Sequence, residues 1–129
     1  MKPLLIATAI IEVGAGLALL CCPSPVVALL LGSPLDTSAA MALGRLAGAA
    51  LLALGAACGF AIHDAKSCAA RGLVGAMVLY NLGAVVILGA AGLGAQPVGV
   101  ALWPAVALHA AMTGWCVRSL LRKPSPPAK

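Results

Sequence analysis

Four polar side chains in this 129-residue chain sit deep inside long apolar runs: Glu12, Arg45, Asn81 and His109. An ionisable group held in hydrocarbon costs about 2.5–3.5 kcal/mol on insertion scales and more in simulations. Such groups turn inward, find a partner, or serve as a proton or ligand site. Thr8 stands one helical turn before Glu12 and Thr113 one turn after His109, so each threonine shares a face with its neighbour. Three readings follow. Glu12 and Arg45 are long enough to form a salt bridge that locks two helices together inside the membrane. Alternatively, Arg45 extends to the outer headgroups or to Asp36 and leaves Glu12 without a charge partner. In the third reading Glu12 is a proton-binding or substrate-binding carboxylate. Thr8, Glu12, Asn81 and His109 then form a cluster that carries a proton or holds a small polar headgroup.

The elements that must position these groups are four apolar segments, Leu4–Cys22, Ala39–Ile62, Gly72–Leu93 and Val98–Leu121. Each is about as long as the ~20 residues a helix needs to cross a bilayer core. At about 1.5 Å of rise per residue, Glu12 lies roughly 12 Å from the start of its segment, Asn81 about 14 Å and His109 about 18 Å from the same side. Arg45 is shallower, about 9 Å from the opposite side. Composition agrees: 63% of residues are hydrophobic and 9% charged, where a soluble domain of this size carries about 25% charged residues. The fold class is therefore an all-α, polytopic four-helix membrane bundle occupying residues 1–121. The Pro-rich, charged residues 122–129 are read as a disordered tail.

The net charge of +5 is a topology signal, not a nucleic-acid one. Lys2, Lys66, Arg71, Arg118, Arg122, Lys123 and Lys129 all fall on one side of a four-span chain, and the two opposite loops hold neither Lys nor Arg. By the positive-inside rule both ends of the chain are cytoplasmic. No basic stripe with interleaved aromatics is present, so no nucleic acid is expected as a partner. Trp103 and Trp115 stand toward opposite ends of the last segment, as interface anchors do. Pro104 is expected to kink that segment.

Between the first two segments, Val26–Leu31 is too short to cross. It reads as a short helix in the outer interface or folded back on the bundle, capped by Ser24 and opened by Pro25. Asp36, Thr37 and Ser38 cap the second segment. Spans 3 and 4, joined by Gly94-Ala95-Gln96-Pro97, are antiparallel neighbours. The second segment carries Gly44-x-x-x-Gly48 and Gly55-x-x-x-Gly59, whose offset keeps all four glycines in one stripe. Such stripes bring helix backbones close, either inside the bundle or against a second protein.

No catalytic constellation accompanies these groups. There is no Gly-rich phosphate loop, nucleophile elbow, metal-spaced histidine pair or pair of acids. Glu12, Asp36 and Asp64 are the only acids. Cys21, Cys22, Cys58, Cys68 and Cys116 include no C-x-x-C. His63 and His109 lie at different depths, so they do not form a haem site. No cofactor or metal is expected.

The run Gly16-Leu17-Ala18-Leu19-Leu20, then Pro23, Leu29-Leu30-Leu31-Gly32, Arg45-Leu46-Ala47-Gly48 and Leu52-Ala53-Leu54-Gly55 resembles the DoxX-like group of small bacterial four-helix membrane proteins. The resemblance covers about the first half of the chain. It implies a bundle of this architecture, sometimes an accessory subunit of a membrane redox complex, and assigns no active site to these residues.

The function expected is that of a non-catalytic accessory subunit or assembly factor in a bacterial inner membrane, with lipids and a protein partner or further copies of itself around it. Two alternatives stay open. One is a small oligomeric transporter or channel using Glu12 and His109. The other is a lipid- or quinone-binding protein in which Trp103 and the short outer helix shape a pocket.

Overall fold

The computed structural model describes residues 1–94 and 96–122, and every regular element in them is an α-helix. In chain order these are α1 (Lys2–Cys21), α2 (Pro23–Leu31), α3 (Ser38–Ala61), α4 (Cys68–Gly92) and α5 (Leu102–Leu121). Among the described residues, three helices are long and apolar enough to cross a membrane: α1, α3 and α4. The fourth expected segment, Val98–Leu121, is not one of them. It loses its first turn, and Pro104, His109, Thr113 and Arg118 dilute what remains of its apolar run. Of the expected disordered tail, Arg122 is described and residues 123–129 lie outside the described residues, as does Ala95 in the loop before α5.

Local chemistry sets the boundaries. Thr37 accepts the N–H of Ala40 at 3.1 Å and starts α3. Ser67 accepts the N–H of Ala70 at 3.0 Å. That cap lets α4 begin at Cys68, ahead of the expected start at Gly72, and it absorbs half of the polar turn. Ser24 does not cap α2. Its hydroxyl accepts the Leu35 N–H at 3.0 Å and donates to the Leu35 carbonyl at 3.3 Å, tying α2 to the segment that enters α3. Helix α2 opens instead at Pro23, where a missing N–H costs nothing.

Val98–Ala101 leaves the helical path because its N–H groups are needed elsewhere. Gly99 donates to the Leu30 carbonyl at 3.1 Å and Ala101 to the Leu29 carbonyl at 2.9 Å. These are last-turn carbonyls of α2, which a helix end leaves without intrahelical partners. Glycine is required on both sides of the clasp. Gly32 ends α2 with φ 78°, and a side chain there would strike Pro97; one at Gly99 would strike the Leu29 carbonyl. Pro104 lies in the first turn of α5, where no intrahelical bond is lost, so it helps start the helix and the expected kink has no cause.

Two helix pairs dominate the packing, α1 on α3 and α4 on α5. In the first pair the backbones nearly touch. A Cβ on Gly16 would stand 2.7 Å from the Leu52 nitrogen and 2.8 Å from the Gly48 oxygen. One on Gly48 would stand 2.8 Å from the Leu20 nitrogen, and one on Gly55 2.9 Å from the Val13 nitrogen. Larger side chains close the gap between the pairs. Leu4, Leu5, Cys58, Val74, Met77, Met112 and Cys116 form a buried cluster drawn from α1, α3, α4 and α5.

The two glycines of α1 separate packing from propensity. Gly16→Ala must push two backbones apart and should lower unfolding stability in detergent by about 1–3 kcal/mol. Gly14→Ala meets nothing within 4 Å and should leave stability unchanged or raise it by up to about 1 kcal/mol. Thermal or denaturant unfolding of both variants in one detergent makes the comparison.

Candidate functional site

Helix α4 supplies the centre of the polar cluster. Asn81 is 1% exposed. Its Nδ2 donates to the Met77 carbonyl one turn earlier at 2.8 Å, which turns Oδ1 outward from the helix to meet His109 Nδ1 of α5 at 2.8 Å. An amide oxygen only accepts, so the proton of this bond lies on His109 Nδ1, and that fixes the tautomer of the neutral ring. The ring of Tyr80 packs edge-on against the same imidazole, with centroids 5.6 Å apart and planes at 82°. The Tyr80 side chain also lies within reach of Glu12 of α1. The result is a chain of polar groups, Glu12, Tyr80, His109 and Asn81, running from α1 through α4 to α5.

Thr113 shares the His109 face, but its hydroxyl donates to the His109 carbonyl at 2.8 Å. Its proton is therefore used on its own helix. Thr8 is 1% exposed, one turn before Glu12 on the buried face of α1. Of the six groups named from the sequence, Asn81 and His109 bond directly, Thr113 bonds only the His109 carbonyl, Glu12 lies near them through Tyr80, and Thr8 is buried beside Glu12 on α1.

Arg45 does not join them. Glu12 is 3% exposed and lies near Tyr80, whereas Arg45 lies on the exposed surface of α3. The Glu12–Arg45 bridge anticipated from matched depth is not formed. The two residues are not level: Gly16 packs against Gly48 and Leu52, and Val13 against Gly55, so Glu12 stands beside the Gly55 turn of α3, about 15 Å along that helix from Arg45. Tyr80 is the cluster member missing from the groups named from the sequence. The available signal was its phenol beside Asn81 at the depth of Glu12, since a buried tyrosine hydroxyl needs a partner.

The glycine stripe divides along its length. Gly48 and Gly55 lie against α1, Gly44 faces Pro23 and Leu35, and a Cβ on Gly59 would meet nothing. Trp103 rests on Gly92 near the start of α5, and Trp115 is part of the opposite end; both are partly exposed. Cys58 and Cys116 are buried, and Cys21, Cys22 and Cys68 are exposed. Among the described residues no group of three His, Cys, Asp or Glu side chains is placed to hold a metal ion.

What this arrangement does chemically is join α4 to α5 through a buried hydrogen-bonded pair, with Tyr80 standing between that pair and Glu12 of α1. A double-mutant cycle tests the link. Asn81→Ala and His109→Ala should couple by about 0.5–1.7 kcal/mol, the range for interhelical hydrogen bonds in a membrane. Glu12→Gln and Arg45→Gln should add independently, with no coupling beyond error in the same unfolding assay.

No family model matches this chain, and neither does any curated protein or solved structure.

Proposed function

We propose that this chain is a four-helix membrane bundle that works as a non-catalytic accessory subunit or assembly factor of a larger membrane complex. The observation that carries the reading is the outer face of α3. Between Leu46 and Phe60, about 20 Å of helix, every exposed residue is alanine: Ala47, Ala49, Ala50, Ala53 and Ala56. The other long helices present bulky apolar groups to their surroundings, such as Ile6, Ile10 and Leu17 on α1 and Leu79, Leu82, Val86 and Ile87 on α4. Lipid is indifferent to side-chain size, but a neighbouring helix approaches most closely where the side chains are small. The glycines of α3 that approach another helix are engaged within the chain, which leaves this alanine face for a partner.

In this reading α5 is the fourth crossing helix. Its His109 and Thr113 are satisfied by hydrogen bonds, Ser119 is buried, and the exposed Arg118 stands in its last turn at the basic end, where headgroups receive it. The basic end, with Lys2, Lys66, Arg71 and Arg122, then lies in the cytoplasm of a bacterial cell and the chain in its inner membrane. The DoxX-like resemblance fits the same architecture. The bond of Asn81 to His109, with Asn81 also tied to the Met77 carbonyl, supports a structural role for the cluster over a transporting one.

The decisive experiment is native mass spectrometry of the tagged protein, extracted in mild detergent from its own membrane. A larger protein in fixed stoichiometry is expected. Ala49→Leu with Ala53→Leu should reduce it at least tenfold, and Glu12→Gln should retain it. The enlarged residue belongs at these alanines, because leucine at Gly48 would wreck the α1–α3 contact itself. A homo-oligomer alone, or loss of solute flux in Glu12→Gln with assembly intact, would overturn the reading.

Topology has a separate check. Ser33, just past α2, is exposed. In a background lacking the native cysteines, Ser33→Cys should react with an impermeant thiol reagent added to intact cells. Labelling only after lysis would reverse the orientation.

A further inference from the structure

The basic residues do more than share one side of the molecule. Lys2 at the start of α1, Lys66 in the α3–α4 turn, Arg71 in the first turn of α4 and Arg122 after α5 line a single cavity of about 550 Å³. Four separate segments converge there, and Asp64 is the only carboxylate among the lining residues. Topology alone asks for positive charge near the membrane surface; it does not ask four segments to aim it into one hollow.

The rest of the lining suits a phosphate group. Arg71 is held in place by a 3.0 Å bond from its Nη2 to the Leu120 carbonyl. A guanidinium carries five N–H donors, so a fixed fork remains for an anion. Ser119 contributes a hydroxyl to the wall. Trp115 contributes an indole, the ring that settles at headgroup level. The first turn of α1 opens onto the cavity without a side-chain cap on its N–H groups, and a helix start favours anions. The volume lies within the range of small-ligand sites, about 300–1,000 Å³.

We infer that this cavity binds a phosphate-bearing anion, the headgroup of an acidic membrane lipid, through Lys2, Lys66, Arg71 and Arg122. Position selects the lipid over a free phosphate compound, because the cavity sits at the ends of the helices, where headgroups stand. The inference uses the membrane reading and is independent of any protein partner. Arg118 is the internal control. It is a cation on the same end of α5 that lines two neighbouring grooves and not this cavity.

The test is lipid retention by the full chain in mixed micelles containing phosphatidylglycerol and phosphatidylcholine, read by native mass spectrometry. One phosphatidylglycerol should stay bound in preference to phosphatidylcholine. Lys66→Gln and Arg122→Gln, both at exposed positions, should each weaken retention by roughly fivefold, the effect of removing about one basic contact. Arg118→Gln should leave it unchanged, and unfolding curves of all three variants should superimpose on that of the parent. Equal losses in Arg118→Gln, or no preference for phosphatidylglycerol, would reduce the cavity to general surface charge and overturn the assignment. Displacement of the lipid by millimolar glycerol 3-phosphate, with tight binding of that compound, would overturn the lipid and assign a soluble phosphate ester instead.

Discussion

The bundle depends on how closely α1 and α3 approach at Gly16 and Gly48. Hydrocarbon gives helices no solvent-driven reason to associate, so their contact must come from atoms in van der Waals range. Removing the Cβ atoms there lets one backbone settle on the other. The contact also sets rotation. Each residue advances about 100° around a helix. Committing Ala9, Val13 and Gly16 of α1 to α3 turns the adjacent Thr8–Glu12 strip into the interior, where both residues are buried. An apolar contact therefore places the polar groups. Glu12 reaches Tyr80 because the opposite choice, facing lipid, has been closed.

The two helix pairs are then joined at three levels by three different interactions. At the basic end the joint is apolar, through Leu4, Leu5, Cys58, Val74, Met77, Met112 and Cys116. At mid-depth it is polar, from Glu12 to Tyr80 and on to the His109–Asn81 bond. At the far end it is backbone to backbone, where the loop before α5 donates to the last carbonyls of α2. This last joint completes the end of a nine-residue helix that is too short to cross a bilayer. Its open end is satisfied by a neighbouring strand of chain instead of water. It also explains why α5 starts late, since Gly99 and Ala101 cannot serve both α2 and a longer α5.

Much of this was legible in the order of residues. Long apolar runs located α1, α3 and α4, and the prolines and Gly32 bracketed α2, because hydrocarbon thickness and backbone geometry act on local sequence. The burial of Glu12, Asn81 and Thr8 followed from the cost of leaving polar groups in lipid. Pairing was harder. Depth along a helix can be counted, but the direction a residue faces depends on which neighbour claims which side. Arg45 and Glu12 counted as near in depth, but the register that the glycine contacts impose puts Glu12 beside Gly55, about 15 Å along α3 from Arg45. Gly99 was placed inside the last apolar segment, since nothing local reveals that its N–H is spent on a carbonyl from residue 30. The outer alanines of α3 were visible one by one, but their common exposure appears only after the glycines have been assigned inward.

Charge follows the opposite logic from polarity in this molecule. The groups at mid-depth are satisfied by one another, so they consume their own hydrogen-bonding capacity and fix the bundle. At the basic end, among the described residues, cations outnumber carboxylates four to one around one cavity. Arg71 shows how the two roles meet. By donating to the Leu120 carbonyl it closes the end of α5 against the start of α4, and that closure gives the cavity a rigid wall. A rigid cationic hollow loses little conformational freedom when an anion enters it. The contact that fastens α4 to α5 thereby also prepares the one strongly charged surface of the described chain to hold a ligand.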